Sequence, residues 1–400
     1  MQTISSKTAF WIVAWVISIS LWSSAAPSIV FPVYASFWHL SKAVTTGIYA
    51  TYPVVLVLVL VLFGNISDYI GRRNTLLIGL SFLFIGALIF ALAPSMIWLF
   101  IGRVFQGIGV GLTSGSGAAA LVDFNPTSNQ KLPGSINTIA QSVGLFMSTI
   151  IGASLIKFAP FPLYLSYWFL VGFIIITAVL SSFLPRQNVL YAKSHTSWKP
   201  QGLKVPRALL AVYIVAALAV GTGFAEGGIF LSLGAQIARD VVGTNDILTI
   251  GIVLSISYLI ASISALLASR LTPITSILVG ALAVIVTVGL LVVSSYSHSF
   301  VAFVLSDIIG GIAYGFAAAG GIGLASQYAP IQDRAKLLSS VFLFSYLLQG
   351  ASAYCGGLAT TLIGFERAVF LLSVIIALLT LLVLFLALLV RRKVGKVASE

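Results

Sequence analysis

Twelve apolar runs of about 20 residues, set apart by short polar breaks, dominate the hydropathy pattern of this chain. They are Phe10–Val33, Val44–Phe63, Thr75–Ala93, Met96–Leu121, Ile136–Ile156 and Leu163–Leu184, then Ala208–Gly234, Ile247–Ala268, Ile274–Ser294, Phe300–Ala325, Leu338–Leu362 and Val369–Val390. Each is long enough to cross hydrocarbon as a helix rising about 1.5 Å per residue. Only helices and closed barrels satisfy their backbone in lipid, and unbroken runs without strand-like alternation select helices. The expectation is an all-α membrane protein with 12 transmembrane helices. The even count puts both termini on one side.

The breaks add orientation and symmetry. With the termini inside, the inner segments carry sixteen Lys or Arg and the outer loops four, namely Lys42, Lys157, Arg239 and Arg367. That bias predicts cytoplasmic termini and a plasma-membrane protein. Pro185 to Pro206 is the one long break, polar, basic and without apolar period. It separates six spans from six, so the expected units are 1–184, a cytoplasmic linker at 185–207, and 208–400 with a short basic tail. Shifting the chain by 204 residues lays the fourth span on the tenth. Gly107, Ile108, Gly111, Gly117 and Pro126 then fall on Gly311, Ile312, Gly315, Gly321 and Pro330. Glycines and a loop proline in register point to parallel repeats.

Composition narrows the class. The chain is 59% apolar and 8% charged, against roughly a quarter charged in a soluble protein. Its net charge of +12 would suggest nucleic acid in a soluble chain. Here the basic residues sit in the breaks, so the bilayer is the expected partner and nucleic acid is not. Cys355 is the only cysteine, which excludes an internal disulfide and a cysteine-based metal cluster. The first run is too long for a signal-peptide core and is expected to be retained. Arg391-Arg392-Lys393 reads as an inner-surface anchor.

The break after the second span is Gly64-Asn65-Ile66-Ser67-Asp68-Tyr69-Ile70-Gly71-Arg72-Arg73-Asn74. Gly71 permits a sharp reversal, and Asp68 and Arg72 are spaced to pair across it. This G-x-x-x-D-x-x-G-R-R pattern resembles the loop between helices 2 and 3 of the major facilitator superfamily of secondary transporters, and the first half is most similar to its drug–proton antiporter branch. The resemblance implies two pseudo-symmetric six-helix bundles around a cavity. It also implies a cytoplasmic gate of Asp68, Gly71, Arg72, Arg73 and Asp123, the last at the inner end of the fourth span. A generic basic membrane loop is the plainer reading, but it leaves Gly64, Asp68 and Gly71 unexplained.

In the fourth span, Arg103-Val104-Phe105-Gln106-Gly107-Ile108-Gly109-Val110-Gly111 is similar to the superfamily's R-x-x-Q-G-x-G motif. Gly107, Gly111 and Gly115 repeat every four residues and are expected to form one smooth stripe for a neighbouring helix, with Gly311 and Gly315 as counterparts. A phosphate-cradling loop would need a preceding strand, and there is none.

Two acids also lie inside spans. Asp307 occupies the slot equivalent to Arg103, and Glu226 lies at similar depth in the seventh span. The superfamily's helices 1, 4, 7 and 10 line its cavity, and these charges fall on three of the four. The functional expectation is that one acid binds a proton and that Arg103 acts on it from nearby. The alternative is a static ion-pair network locking the bundles together.

Candidates for the cavity wall are Trp22, Phe31, Tyr34, Gln106, Asn137, Gln141, Phe224, Tyr314, Tyr346 and Gln349, aromatic surface with a few polar handles. Each aromatic taken singly could instead face lipid. The fifth span has Gly144 and Gly152 but lacks the proline of the antiporters' Gly-Pro motif.

His39, His195 and His298 lie in breaks without companion ligands, so no metal is expected. No serine, histidine and acid cluster suggests an enzyme, and no cofactor is implied. The leading expectation is a monomeric secondary active transporter exporting a small organic or drug-like solute by alternating access, driven by protons. The alternative is a proton symporter or facilitator importing a small metabolite. A third reading is a non-transporting sensor or scaffold.

Overall fold

The computed structural model describes residues 4–40, 42–185, 209–242, 246–329 and 334–397. Among them lie twelve long helices and one short one. The first half holds α1 (Ser6–Phe37), α2 (Lys42–Phe63), the four-residue α3 (Ser67–Ile70), α4 (Arg72–Ala91), α5 (Met96–Asp123), α6 (Leu132–Phe158) and α7 (Leu165–Ser181). The second holds α8 (Leu210–Val242), α9 (Ile247–Ala268), α10 (Pro273–Ser297), α11 (Phe300–Tyr328), α12 (Arg334–Ile363) and α13 (Phe365–Val397). Ten of these are long and apolar enough to cross a membrane, and α2 and α7 contribute shorter apolar helices.

Several helices outrun the apolar segments that predicted them. α1 begins four residues before Phe10, and α8 continues past Gly234 to Val242. Hydropathy marks only the lipid-matched part, while the backbone ladder continues until a cap ends it. Ser5, Asp246, Thr272 and Ser299 accept backbone N–H groups at the starts of α1, α9, α10 and α11. Gly71, at φ +86°, separates α3 from α4, a backbone state that favours glycine. The predicted linker after Pro185, with His195, and Pro330 lie outside the described residues.

Contacts between the halves come in pairs. α6 meets α9 as α12 meets α2, and α6 meets α11 as α12 meets α5. Moving six long helices along the chain exchanges the members of each pair, which is the two-fold relation of a repeated six-helix unit. The glycines that matched at a shift of 204 obey the same rule. Gly107 and Gly111 press on α2 at Tyr52, Val55 and Val59, whereas Gly311 and Gly315 press on α9 at Ser257, Ala261 and Ser264. Gly117 meets Ile17 of α1, and Gly321 meets Ala216 and Val220 of α8. The expected single stripe needs correction, because Gly115 faces not α2 but Ser339 of α12 in the other half. Four-residue spacing drifts around a 3.6-residue turn, so the third glycine looks toward a different neighbour.

Candidate functional site

At the end of the molecule that carries the α2–α4 turn the halves are bridged. Arg72, 4% exposed, organises the turn within the first half. Its Nε donates to Asp123 Oδ2 at 2.9 Å, and its Nη1 donates to Asp68 Oδ1 at 2.5 Å and to Ser67 Oγ at 2.6 Å. Ser67 was missed in the sequence, where it stands between the motif residues without a charge to mark it. Arg73 follows in α4 and takes no part in these ion pairs. Ser339 then joins the halves: its hydroxyl donates to the Gly64 carbonyl at 2.8 Å while the residue packs on Gly115. The symmetry-related contact places Gly134 of α6 against Gly323 and the Ala319 carbonyl of α11.

At the opposite end a different link spans the halves. Lys157 Nζ, in the last turn of α6, lies 2.9 Å from Asp246 Oδ2 at the start of α9. Asp246 also accepts from the Thr249 backbone N–H and hydroxyl. The Lys157 ammonium, with help from Thr249, holds its carboxyl down at about 2.

Between the two ends lies a cavity of about 60 Å³. The first half contributes Leu21, Ser24, Ala25, Ser28, Tyr49, Tyr52 and Leu145. The second contributes Phe224, Glu226, Gly227, Phe230, Ser257, Tyr258, Ala261, Gly310, Gly311, Tyr314, Tyr346 and Gln349. That volume holds roughly four waters, so a larger solute requires the halves to part. A smaller recess beside it is lined by Ile17, Ser20, Leu21, Thr113, Ser114, Asn137, Gln141 and Phe342. Gln141 Oε1 accepts from Tyr314 across the halves at 3.0 Å.

The ten proposed wall residues therefore divide. Phe224, Tyr314, Tyr346 and Gln349 line the cavity, and Asn137 and Gln141 line the recess. Trp22 instead packs on Phe169 and Phe173 of α7. Tyr34 donates to the Leu163 carbonyl and stacks on Trp38. Phe31 lies beneath Arg103, and Gln106 donates to the Ser23 carbonyl. All four face the interior of their own half, because the same helix that lines the cavity on one side packs its bundle on the other. Tyr49, Tyr52 and Tyr258 were overlooked. The i, i+3 spacing of the first two on one helix face was the available signal.

The expected trio of charges also separates. Arg103 is fully buried, and its Nη1 donates to the Ser24 carbonyl at 2.6 Å and to Gln106 Oε1 at 3.2 Å. Its guanidinium sits 5.0, 5.8 and 5.6 Å from the ring centroids of Phe31, Tyr49 and Tyr52. Among the described residues it forms no ion pair with either acid. α5 turns this side chain toward α1 and α2 of its own half. Asp307 Oδ2 accepts from the backbone N–H of Ser257, a cavity-lining residue of α9, at 3.1 Å, while Asp307 is not among the residues that line the cavity. Of the three, only Glu226 lines the chamber, with Oε1 pressed over Gly310.

A model of the Major Facilitator Superfamily matches residues 11–306. The chain belongs to that superfamily. It is a multi-pass membrane transporter fold, and the superfamily's proteins are transporters rather than enzymes. Two solved superfamily structures align along nearly the whole chain. A proton:xylose symporter bound to 6-bromo-6-deoxy-D-glucose aligns over 94% of each chain at 15% identity with a TM-score of 0.74. The human organic anion transporter MFSD10 aligns over 96% of this chain and 100% of its own, at 16% identity and a TM-score of 0.73. These likenesses show the fold. Among curated relatives are sugar and polyol transporters of Arabidopsis thaliana, including plastidic glucose transporter 4, 29% identical over 37% of this chain and 26% of its own. For the first three such relatives the matched stretch spans 18, 22 and 20% of their length.

Proposed function

We propose that this chain moves a small polar organic solute, with the size and chemistry of a sugar or polyol, across the plasma membrane by alternating access. One observation carries the reading: a cavity between pseudo-symmetric halves, which a hydrogen bond bridges at the turn end, whose wall brings together Tyr49, Tyr52, Tyr258, Tyr314, Tyr346, Ser24, Ser28 and Gln349. Aromatic faces suit the C–H surface of such a solute, and hydroxyl and amide groups suit its oxygens. The sugar and polyol transporters among the relatives support the same solute class, and we read the direction as import or facilitated movement.

In this reading units 1–184 and 208–400 rock about the cavity, joined by 185–207, with both termini cytoplasmic and the chain acting as a monomer. Asp68, Arg72 and Asp123 stiffen the turn that Ser339 latches. An ion gradient would act through Glu226 and Asp307. A second reading, proton-driven export of an amphipathic solute, draws on the apolar part of the wall, Leu21, Ala25, Leu145, Phe224, Phe230 and Ala261.

Counterflow of radiolabelled glucose and xylitol in proteoliposomes tests the solute class. Accumulation of either label over protein-free vesicles is expected. Its absence, together with proton-dependent extrusion of a lipophilic dye, would replace this reading with the second.

A further inference from the structure

The small recess lies on the way from the cavity to the turn end. Along α6 the order is Gly134 at the turn-end contact, Asn137 and Gln141 at the recess, and Leu145 at the cavity. α12 repeats it with Ser339, Phe342 and Tyr346. On α1 one turn separates Ser20 in the recess from Ser24 in the cavity, on the same helix face. Ser114, which lines the recess, directly precedes the Gly115 that packs on Ser339. Two side-chain features part the chambers. Leu21 lines both, and Tyr314 of the cavity wall donates across the halves to Gln141 Oε1 of the recess at 3.0 Å.

The recess has the size and polarity of a site for one uncharged hydroxyl. Its volume is about 10 Å³, room for a single water-sized group. Asn137 is 1% exposed, and its Nδ2 has no hydrogen-bond partner among the described residues. The hydroxyls of Ser20, Thr113 and Ser114 donate to carbonyls of their own helices at 2.8, 3.0 and 2.7 Å. Their protons are engaged, so toward a newcomer their oxygens act as acceptors. An amide donor and hydroxyl acceptors around one small void match an alcohol O–H, which donates and accepts at once. No charged side chain lines the void, so a carboxylate or ammonium entering it would lose its hydration without a counter-charge. We propose that the recess is a second binding station for a hydroxyl of the solute, between the cavity and the turn end, and that the Tyr314–Gln141 bond is the bolt between the two chambers. A polyol then passes a hydroxyl from one polar station to the next without leaving it unpaired on the way. The station rests on the transport reading above. The bolt does not.

The test uses full-length protein in proteoliposomes, with Cys355→Ser and one reporter cysteine, either Ala25→Cys in the cavity or Ser20→Cys in the recess. An impermeant maleimide is applied from the turn side, with and without xylitol. Xylitol is expected to slow alkylation of both reporters. Thr113→Val keeps the shape and removes the hydroxyl. It should raise the xylitol concentration that protects the recess reporter roughly tenfold and leave that for the cavity reporter unchanged. Tyr314→Phe should speed alkylation of the cavity reporter several-fold without solute. Xylitol that fails to protect the recess reporter overturns the station, and the recess then holds a structural water only. Equal shifts at both reporters in Thr113→Val also overturn it, since movement of the halves as a whole would produce them. Asn137→Ala gives the same reading if Thr113→Val does not fold. An unchanged rate in Tyr314→Phe overturns the bolt. Counterflow without protection of the recess reporter removes this inference alone. Protection of the recess reporter without counterflow removes the transport reading alone.

Discussion

The Ser339 hydroxyl donates to the Gly64 carbonyl 2.8 Å away, tying α12 of one half to the turn that ends α2 in the other. The residue also fills the notch left by Gly115. One neutral hydrogen bond contributes about 1 kcal/mol, or roughly fivefold in an equilibrium. Ser339→Ala should therefore let the turn end open several times more often, and Gly115→Leu, which drives a side chain into that notch, should open it further. The reporter is a cysteine substituted for Ala319, beside the paired Gly134 contact, with the exposed Cys355 replaced by Ser. Its alkylation rate from the turn side should rise in that order. Unchanged rates in both variants would mean the latch lies elsewhere.

Arg72 serves three partners with one planar fork. A lysine offers a single point of charge on a flexible stem. Arg72→Lys should cost about 2 kcal/mol, less than a fully buried pair because Asp68 and Asp123 are partly exposed. Arg72→Ala should cost more, since it leaves two carboxylates facing each other, and Asp123→Asn less. The ranking is read from thermal unfolding in a fixed detergent. An Arg72→Lys protein as stable as the parent would reduce the cluster to a surface charge effect.

Much of this architecture is legible in the chain. The apolar runs mark the helices, and the glycine register at a shift of 204 foretells that Gly107, Gly111 and Gly117 meet helices equivalent to those met by Gly311, Gly315 and Gly321, though not that Gly115 turns to α12. The Asp68–Arg72 pair follows from spacing alone. What the sequence withholds is rotation. Arg103 and Asp307 occupy equivalent slots, yet one turns to the Ser24 carbonyl and the other to the Ser257 N–H. Depth along a helix comes from counting, whereas azimuth depends on neighbours that hydropathy does not describe. The same limit assigned Trp22 and Tyr34 to the cavity and overlooked Tyr49 and Tyr258.

The Lys157–Asp246 pair makes a prediction about acid. The carboxyl's ordinary value of 3.8 is drawn down to about 2 when the pair is made. The link is therefore at full strength above the ordinary value and fades only as pH falls from there toward 2. Mild acid should leave this end unchanged. Spin labels on Cys introduced at Phe158 and Ile252, both exposed, should give the same separation at neutral pH and at about pH 5. Lys157→Gln should widen the distribution at either pH. About 1 M salt, where screening acts over ~3 Å, should do so partially because both partners are a third exposed. Widening at pH 5 in the parent protein would show that another group controls this end.

Arg103 tests the difference between stability and use. Its charge is buried against three rings, a carbonyl and an amide, and among the described residues it pairs with no carboxylate. Replacing a buried ion by an apolar side chain of similar length is often neutral or stabilising. Arg103→Met should therefore keep or raise the melting temperature while counterflow falls, since Tyr49 and Tyr52 lose the cation that positions them in the wall. A variant that unfolds would instead make Arg103 a structural member of the first half.

Gly310 and Gly311 are adjacent, and substitution should separate their roles. A methyl on Gly311 would run into the Ser257 carbonyl, with Ile260 Cβ at 2.9 Å and Ser257 Cα at 3.0 Å. That is backbone, and it can yield only if α9 moves, so Gly311→Ala should lose about 1–3 kcal/mol as an overpacked contact does. A methyl on Gly310 meets Glu226 Oε1, the far end of a side chain that can swing. The helix gains up to about 1 kcal/mol from Ala over Gly, so Gly310→Ala should melt near the parent temperature. Its cost falls on function instead, because Glu226 is pushed into the solute cavity. Solute affinity in counterflow should drop in Gly310→Ala, with the melting temperature held. In Gly311→Ala the melting temperature should drop more than the affinity of the molecules that remain folded. The opposite assignment of losses would place the functional face of α11 on the α9 side and remove Glu226 from the site.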